Sequence, residues 1–577
     1  MWGWLLGALV CGVACSAGAP GPGIDTGRAM AHVDALVALG PHPGDSAQAQ
    51  RAAAYIEAQL RSIGAGVERV PVGSVQLPAI DVLGVRHRAA RTRETTDPNL
   101  AVRFGPVTGR ALLVMAHYDT VPASPGAVDN AAAVGAVIEL ARVLAATPPA
   151  APVLLVFTAN EESGLVGAEA LAVQHGDDVA FAVALDLIGG SGALSLNGAS
   201  RLIGRAELGW LAAAADRAGV VLRAPLPHRA VSRAWPQAER SDHGPFTRRG
   251  IPAVHLDHRG QDGEWIDLAY HSARDTAARV ARGSLDEVGR LLCALTAVPR
   301  PAHDGDGFWL PIAVNTVVPR WWLVAFELAM ASLALGLLTT MRTFREPSRA
   351  RGDLGVVAAA GCFAIAAAVT AVAERAIAAD HPAPWVHAPG MALVAELAVF
   401  AGALGGLIVV ARRRAAWAGD RRYLAIAIAL PLSAGLGWLV LGAAELAWIW
   451  LVPAACAAMA PRLGRFGGLL AIAAGVLPGA LVLAPAQLRE AAWNGFLPMA
   501  VPLAIWIAGF ALAPLAGLAW WLRRSPEPGP LGALVLPVGS GLALAAGLGL
   551  LARAEPVCSA AQLHALHLAC EMAARDR

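Results

Sequence analysis

The sequence predicts an α/β domain, built on a mostly parallel mixed sheet sandwiched by helices, followed by an all-α multi-pass transmembrane domain. The chain has 577 residues, of which 56% are hydrophobic, and its mean hydropathy of +0.53 is too high for a soluble protein of that length. Charged residues are concentrated in the first 300 positions, and long apolar runs begin near residue 320. The chain therefore divides into a globular half and a membrane half.

Helical and strand-like patterns alternate through the globular half, as a sheet covered by helices requires. Short apolar runs of this kind form strands that are buried on both faces of a largely parallel sheet. The predicted strands cover residues 111–116, 153–158, 181–187 and 252–257. The predicted helices cover residues 47–63, 131–146, 207–218 and 275–295.

Five segments make up the predicted domain organisation. They are a signal peptide or uncleaved signal anchor (1–19), a globular domain (20–300), a linker (301–320), a transmembrane domain of about eight helices (321–552) and a tail (553–577). Every second gap between the predicted spans is rich in Arg, which places those gaps in the cytoplasm. The globular domain and the tail are therefore expected outside the cytoplasm.

Composition excludes two classes of function. The formal net charge is +2, and the globular half has no basic stripe with interleaved aromatic residues, so we expect no nucleic-acid partner. Seven Cys are scattered without a C-x-x-C pair, so no thiolate metal site is indicated.

Imidazole and carboxylate side chains occur in five short patches that lie at or just after predicted strands and turns. The patches are AHYDT with His117 and Asp119, GAVDNAA with Asp129, ANEESG with Glu161 and Glu162, ALDLIG with Asp186, and YHSARDT with His271. Nitrogen and oxygen ligands of these types bind zinc, and a pair of zinc ions needs a shared ligand. Asp129 is the natural bridge because it lies in a Gly-flanked turn that opens a helix, and one imidazole and one carboxylate then remain for each ion.

These patches resemble the co-catalytic zinc exopeptidase family, which includes secreted bacterial leucyl aminopeptidases and the glutamate carboxypeptidases, over about residues 30–295. The resemblance implies a zinc-exopeptidase fold of the phosphorylase/hydrolase type. It implies two zinc ions, one held by His117 and Asp186 and the other by Glu162 and His271, with Asp129 shared. Asp119 would orient the ligating imidazole, and Glu161 would be the general base that activates a metal-bound water.

The segment SDHGPF also matches the family, and Asp242 and His243 within it are candidate substrate-binding residues. Either one could instead hold the loop in place. Val128 departs from the family pattern, which commonly has a carboxylate before the bridging Asp. Because that position is not a ligand, we expect an effect on fine tuning only.

The sequence thus predicts a membrane-anchored, two-zinc metallopeptidase, most consistent with an aminopeptidase, that acts on peptides beside a lipid bilayer. The membrane layout resembles that of endoplasmic-reticulum and vacuolar family members. A glutaminyl cyclase-like acyl transfer on the same fold is the first alternative. A non-catalytic receptor or transport module is the second. The order of residues leaves open the amino or carboxy exopeptidase preference and the oligomeric state.

Overall fold

The computed structural model describes most of the globular half and parts of the second half. The described residues are chiefly 23–82, 85–199, 205–222, 241–258, 269–298, 307–309, 317–341, 421–440, 447–448 and 450–459. The predicted signal segment 1–19, most of the predicted spans and the predicted tail 553–577 lie outside the described residues.

The described elements alternate as the sequence predicts. The helices are α1 (Thr26–Val37), α2 (Ala47–Ser62), α3 (Ala132–Ala146), α4 (Val166–His175), α5 (Arg205–Ala218), α6 (His243–Arg248), α7 (Arg282–Ala297), α8 (Arg320–Met341) and α9 (Arg421–Val440). The strands are β1 (Val67–Val70), β2 (Gly73–Leu77), β3 (Ile80–Val82), β4 (Val85–Arg88), β5 (Arg91–Thr95), β6 (Asn99–Phe104), β7 (Ala111–His117), β8 (Val153–Thr158), β9 (Val179–Leu185), β10 (Leu194–Ala199), β11 (Ala253–His258), β12 (Gly307–Trp309) and β13 (Val317–Pro319).

Seven strands form one mixed sheet in the order β1-β6-β8-β7-β9-β11-β10. The four central strands β8, β7, β9 and β11 run parallel, and the outer strands pair antiparallel to their neighbours. Every residue of β7 and β9 is buried, as expected of central strands that are covered on both faces. The predicted α/β fold with a mixed sheet is therefore confirmed.

Helices cover both faces of this sheet. Successive residues of a strand point to opposite faces, so neighbouring residues of β7 pack into two different cores. Leu112 and Val114 of β7 belong to the larger apolar core, which includes residues of α1, α2, α3, α5 and α7. Leu113 and Met115 belong to a second core, with Leu171 of α4 and Phe246 of α6. The sheet is thus sandwiched, as predicted.

On each face of the sheet, one buried glutamate joins two helices. Glu139 of α3 is fully buried and accepts hydrogen bonds from Arg28 of α1 at 2.8 Å and from Arg142 at 3.0 Å. On the other face, Glu169 of α4 accepts bonds from Arg248 at 2.6 Å and Arg249 at 2.7 Å. A buried carboxylate is tolerated only when it is paired in this way, so these contacts fix the packing of α1 on α3 and of α6 on α4.

The predicted helix over residues 275–295 begins later than expected. A short 3-10 turn covers Ala277–Arg279, and α7 starts at Arg282. Thr276 has an extended backbone (φ −110°, ψ 160°), and the Asp275 side chain bonds the backbone of another segment. A carboxylate with its own distant partners does not cap the following turn, which explains the late start.

The predicted linker 301–320 contains regular structure. Strands β12 and β13 pair antiparallel, and both lie against α5 of the globular half. Helices α8 and α9 overlap the predicted transmembrane domain 321–552. Within the part of the chain that the structure describes, no helix combines the length and the apolar character needed to cross a membrane. The membrane layout stays a prediction.

Glu327 lies on α8 and is fully buried. Its carboxylate accepts a hydrogen bond from the backbone amide of Trp448 at 3.1 Å. This bond joins α8 to the segment that contains Trp448.

Two helical glycines make a matched test of this packing. A Cβ on Gly135 of α3 would lie 2.7 Å from the carbonyl oxygen of Ala29 on α1, whereas a Cβ on Gly209 of α5 would meet nothing within 4 Å. We expect Gly135→Ala to lower the free energy of unfolding by about 1–3 kcal/mol through overpacking. Gly209→Ala should raise it by about 0.5–1 kcal/mol through helix propensity. Urea unfolding of the full-length variants measures both, and equal effects would contradict the α1–α3 packing.

Candidate metal centre

The carboxyl ends of three parallel strands bring most of the predicted site residues together. His117 is the last residue of β7 and pairs in register with Thr158 at the end of β8. Asp186 directly follows β9, and Glu161 and Glu162 follow β8 by three and four residues. Because parallel strands end on the same side of a sheet, these side chains meet at one edge.

Two groups of three side chains share Asp129. His117, Asp129 and Asp186 form one group, Asp129, Glu162 and His271 form the other, and the ligand atoms of each lie within 4.8 Å of one another. His117 Nε2 is 3.2 Å from Asp129 Oδ1 and 3.6 Å from Asp186 Oδ1. His271 Nε2 is 3.2 Å from both Asp129 Oδ2 and Glu162 Oε2. Each oxygen of Asp129 therefore faces a different imidazole, as a bridging carboxylate would.

Asp129 lies in an irregular turn, Ala127–Ala131, that opens α3. Gly126 precedes the turn in a left-handed conformation (φ 73°), and a Cβ there would lie 2.6 Å from the carbonyl oxygen of Asp129. Asn130 Nδ2 donates to the carbonyl oxygen of Leu185 at 2.8 Å, which fastens the turn to the end of β9. Asn130 was not predicted as a site residue, because nothing in its spacing distinguishes it from an ordinary helix-opening residue.

Asp119 contacts both the His117 imidazole and the turn that carries Glu161 and Glu162. His117 Nδ1 lies 3.0 Å from the backbone carbonyl oxygen of Asp119 and 3.7 Å from its carboxylate oxygen Oδ1. That carboxylate accepts hydrogen bonds from the backbone amides of Glu161 at 2.9 Å and Glu162 at 3.2 Å. The main-chain carbonyl thus fixes the imidazole so that Nε2 faces the site, while the Asp119 side chain fixes the Glu161–Glu162 turn.

Glu161 is buried and belongs to neither group of ligands. Burial raises the pKa of its carboxyl well above the ordinary value, and the nearby carboxylates of Asp186, Glu162 and Asp242 act in the same direction, against the attraction of His117. A carboxyl with a raised pKa beside the ligands is suited to accept and return a proton.

The two candidate substrate-binding residues are both buried, with Asp242 2% and His243 1% exposed. The Thr158 hydroxyl donates a hydrogen bond to Asp242 Oδ2, and burial raises the pKa of Asp242 to about 7. The His243 ring stacks on His255 with centroids 5.5 Å apart. The substrate-binding role of both residues stays a prediction.

The charge of the site fits a pair of divalent cations. Four carboxylates, those of Asp129, Glu161, Glu162 and Asp186, surround two imidazoles. Burial by itself lowers the pKa of His117, but the carboxylates outweigh it and hold that pKa well above its ordinary value. Imidazole nitrogens and carboxylate oxygens are zinc ligands, and two zinc ions would neutralise the excess negative charge.

The globular half of the chain is similar to known proteins. Residues 99–296 match the model of Peptidase family M28. Aminopeptidase YwaD of Bacillus subtilis is 29% identical over 194 residues, which cover 31% of this chain and 39% of YwaD. Endoplasmic reticulum metallopeptidase 1 of Rattus norvegicus is 30% identical over 166 residues, which cover 26% of this chain and 18% of that protein. The chain thus spans about two fifths of the first relative and about a fifth of the second.

A solved structure, the aminopeptidase from Aneurinibacillus sp. strain AM-1, is similar at 18% identity with a TM-score of 0.38, covering 50% of this chain and 97% of that one. The match to Peptidase family M28 over residues 99–296 supports the expectation of a zinc metallopeptidase.

Zinc binding should release protons at neutral pH. With its pKa held above the ordinary value, His117 carries a proton in the metal-free protein, and only the neutral imidazole binds zinc. We therefore expect release of about one proton or more per chain at pH 7, and an apparent zinc affinity that rises with pH until the raised pKa of His117 is passed. Titration calorimetry in buffers of different ionisation enthalpy measures this number.

His32 provides the control, because burial lowers its pKa and leaves it neutral. A His32→Asn variant should release the same number of protons as the natural chain. Zinc binding without proton release, at an affinity independent of pH, would contradict the protonation of His117.

Proposed function

We propose that this chain is a membrane-anchored, two-zinc aminopeptidase whose site lies outside the cytoplasm. The observation that carries the proposal is the shared carboxylate of Asp129, whose two oxygens each lie 3.2 Å from a different imidazole. The apolar second half and its alternating Arg-rich gaps support the membrane attachment and the sidedness.

Each residue group would hold one ion. His117 and Asp186 belong to one, Glu162 and His271 to the other, and Asp129 would bind both. Bound there, zinc polarises a peptide carbonyl and lowers the pKa of water at the site. His117 is oriented for this by the Asp119 carbonyl oxygen at 3.0 Å, and Glu162 by the bond of its backbone amide to Asp119 Oδ2 at 3.2 Å.

Glu161 would move the proton. Its backbone is held by Asp119 Oδ1 at 2.9 Å, so the side chain is positioned by the same carboxylate that positions Glu162. In its ionised form the buried carboxylate would take a proton from water and return it to the leaving amine. The two neighbouring glutamates thus have different tasks, one as base and one as ligand.

Hydrolysis of a peptide is favoured over the alternatives by two facts. All five ligand positions are occupied by residues that bind zinc, whereas a module that only binds has no need of the full set or of Glu161. Two of the relatives that match this segment are named as an aminopeptidase and a metallopeptidase.

Glu161→Gln and Glu162→Gln form a matched pair of adjacent, isosteric changes. We expect Glu161→Gln to keep both zinc ions and to lose about 10²–10⁴-fold in kcat, because a positioned general base contributes that much. Glu162→Gln should weaken zinc binding instead. Zinc content and turnover of aminoacyl and N-blocked peptides, measured on the full-length variants, separate the two effects.

Full activity of the Glu161→Gln variant would contradict its assignment as base. Ammonia released from a glutaminyl peptide, without release of an amino acid, would favour the cyclase alternative. If the protein cleaves only N-blocked peptides, the assignment changes from aminopeptidase to carboxypeptidase.

A further inference from the structure

Asp275 is a buried carboxylate that holds the turn carrying the bridging ligand. Only 1% of the residue is exposed. Its Oδ1 accepts a hydrogen bond from the backbone amide of Val128 at 2.8 Å, and its Oδ2 accepts one from the backbone amide of Asp129 at 3.1 Å. The carbonyl oxygen of Asp275 also accepts the amide of Ala127 at 3.3 Å. Three successive amides of the turn are therefore bonded to one distant residue.

This support matters because the backbone at the centre of the turn is not helical. Asp129 (φ −119°, ψ 80°) and Asn130 (φ −140°, ψ 27°) are not helical, and no side chain caps the start of the turn. Buried amides that lack a partner cost free energy comparable to a lost hydrogen bond. Without Asp275, the backbone of Asp129 would lack the acceptors that fix its direction.

Asp275 also belongs to the loop that carries a second ligand. It lies four residues after His271, and its own amide bonds the carbonyl oxygen of Ser272 at 3.1 Å, closing a short turn. His271 adopts a left-handed backbone (φ 54°) within this loop. Asp275 thus fastens the loop of one ligand to the turn of another, across 146 positions of sequence.

We infer that Asp275 is a positioning residue that sets the distance between Asp129 and His271 and thereby the affinity for zinc. The inference rests on the proposed function, since it assumes that these residues hold zinc. The two oxygens of Asp275 are engaged by amides rather than directed at an ion, so the residue acts through Asp129 and His271. Residues that orient ligands in this way typically change metal affinity by about 10–100-fold when replaced.

The test uses Asp275→Asn in the full-length protein. An Asn side chain has one oxygen that can accept an amide, and its own amide group faces the second backbone N–H. We expect the dissociation constant of at least one zinc ion to rise about 10–100-fold in a competition titration against a chromophoric chelator. Unchanged constants for both ions would overturn the inference.

Glu139→Gln is the matched control. Glu139 is fully buried on α3, the helix that follows the turn, and it bonds arginines rather than the turn. Its replacement should destabilise the metal-free protein and leave both zinc constants unchanged. A similar loss of zinc affinity in this variant would overturn the inference, because it would show that general destabilisation of α3 is sufficient.

Hydrogen exchange of the metal-free natural chain gives a readout that does not depend on the variant folding. The amides of Val128 and Asp129 should exchange slowly, because Asp275 holds them without metal. Exchange at the rate of an open loop would overturn the inference. A natural chain that binds no zinc would overturn the proposed function as well, whereas two zinc ions held equally by the natural chain and Asp275→Asn would overturn this inference alone.

Discussion

The carboxylate of Asp129 lies between two imidazoles, and the arrangement of the site depends on this contact. Its oxygens lie 3.2 Å from His117 and 3.2 Å from His271, so the end of β7, the turn before α3 and the loop before α7 must converge on one carboxylate. The parallel pairing of β7 with β8 and β9 supplies the first of these positions. The turn and the loop are not part of the sheet and need other means of support.

Carboxylates that accept backbone amides provide that support. Asp119 holds the amides of Glu161 and Glu162, and Asp275 holds those of Val128 and Asp129. An ionised acceptor forms a stronger hydrogen bond than a neutral one, and burial increases the cost of breaking it. The acidic residues at the site therefore serve three tasks, which are metal ligation, proton transfer and support of irregular backbone.

Sequence patterns predict the regular part of this protein well. The apolar runs that became β7, β8, β9 and β11 carry the signal of strands buried on both faces, and the ligand types follow from their positions at the strand ends. Three features were not predicted: the backbone amides that the Asp119 carboxylate binds, the backbone amides that the Asp275 carboxylate binds, and the extended backbone at Thr276. These features depend on bonds between side chains and distant backbone, which leave no periodicity in the sequence. The antiparallel pair of β12 and β13 was missed because its strands have three residues each.

The distance between two bound metal ions tests the central claim most directly. Zinc-edge X-ray absorption of the full-length protein, loaded with two equivalents of zinc, measures that distance and the ligand types. A carboxylate shared between two zinc ions predicts a metal–metal separation of about 3.5–4 Å with nitrogen and oxygen ligands only. A single bound ion would contradict the bridging role of Asp129. Two bound ions that show no metal–metal signal at that separation would contradict it as well.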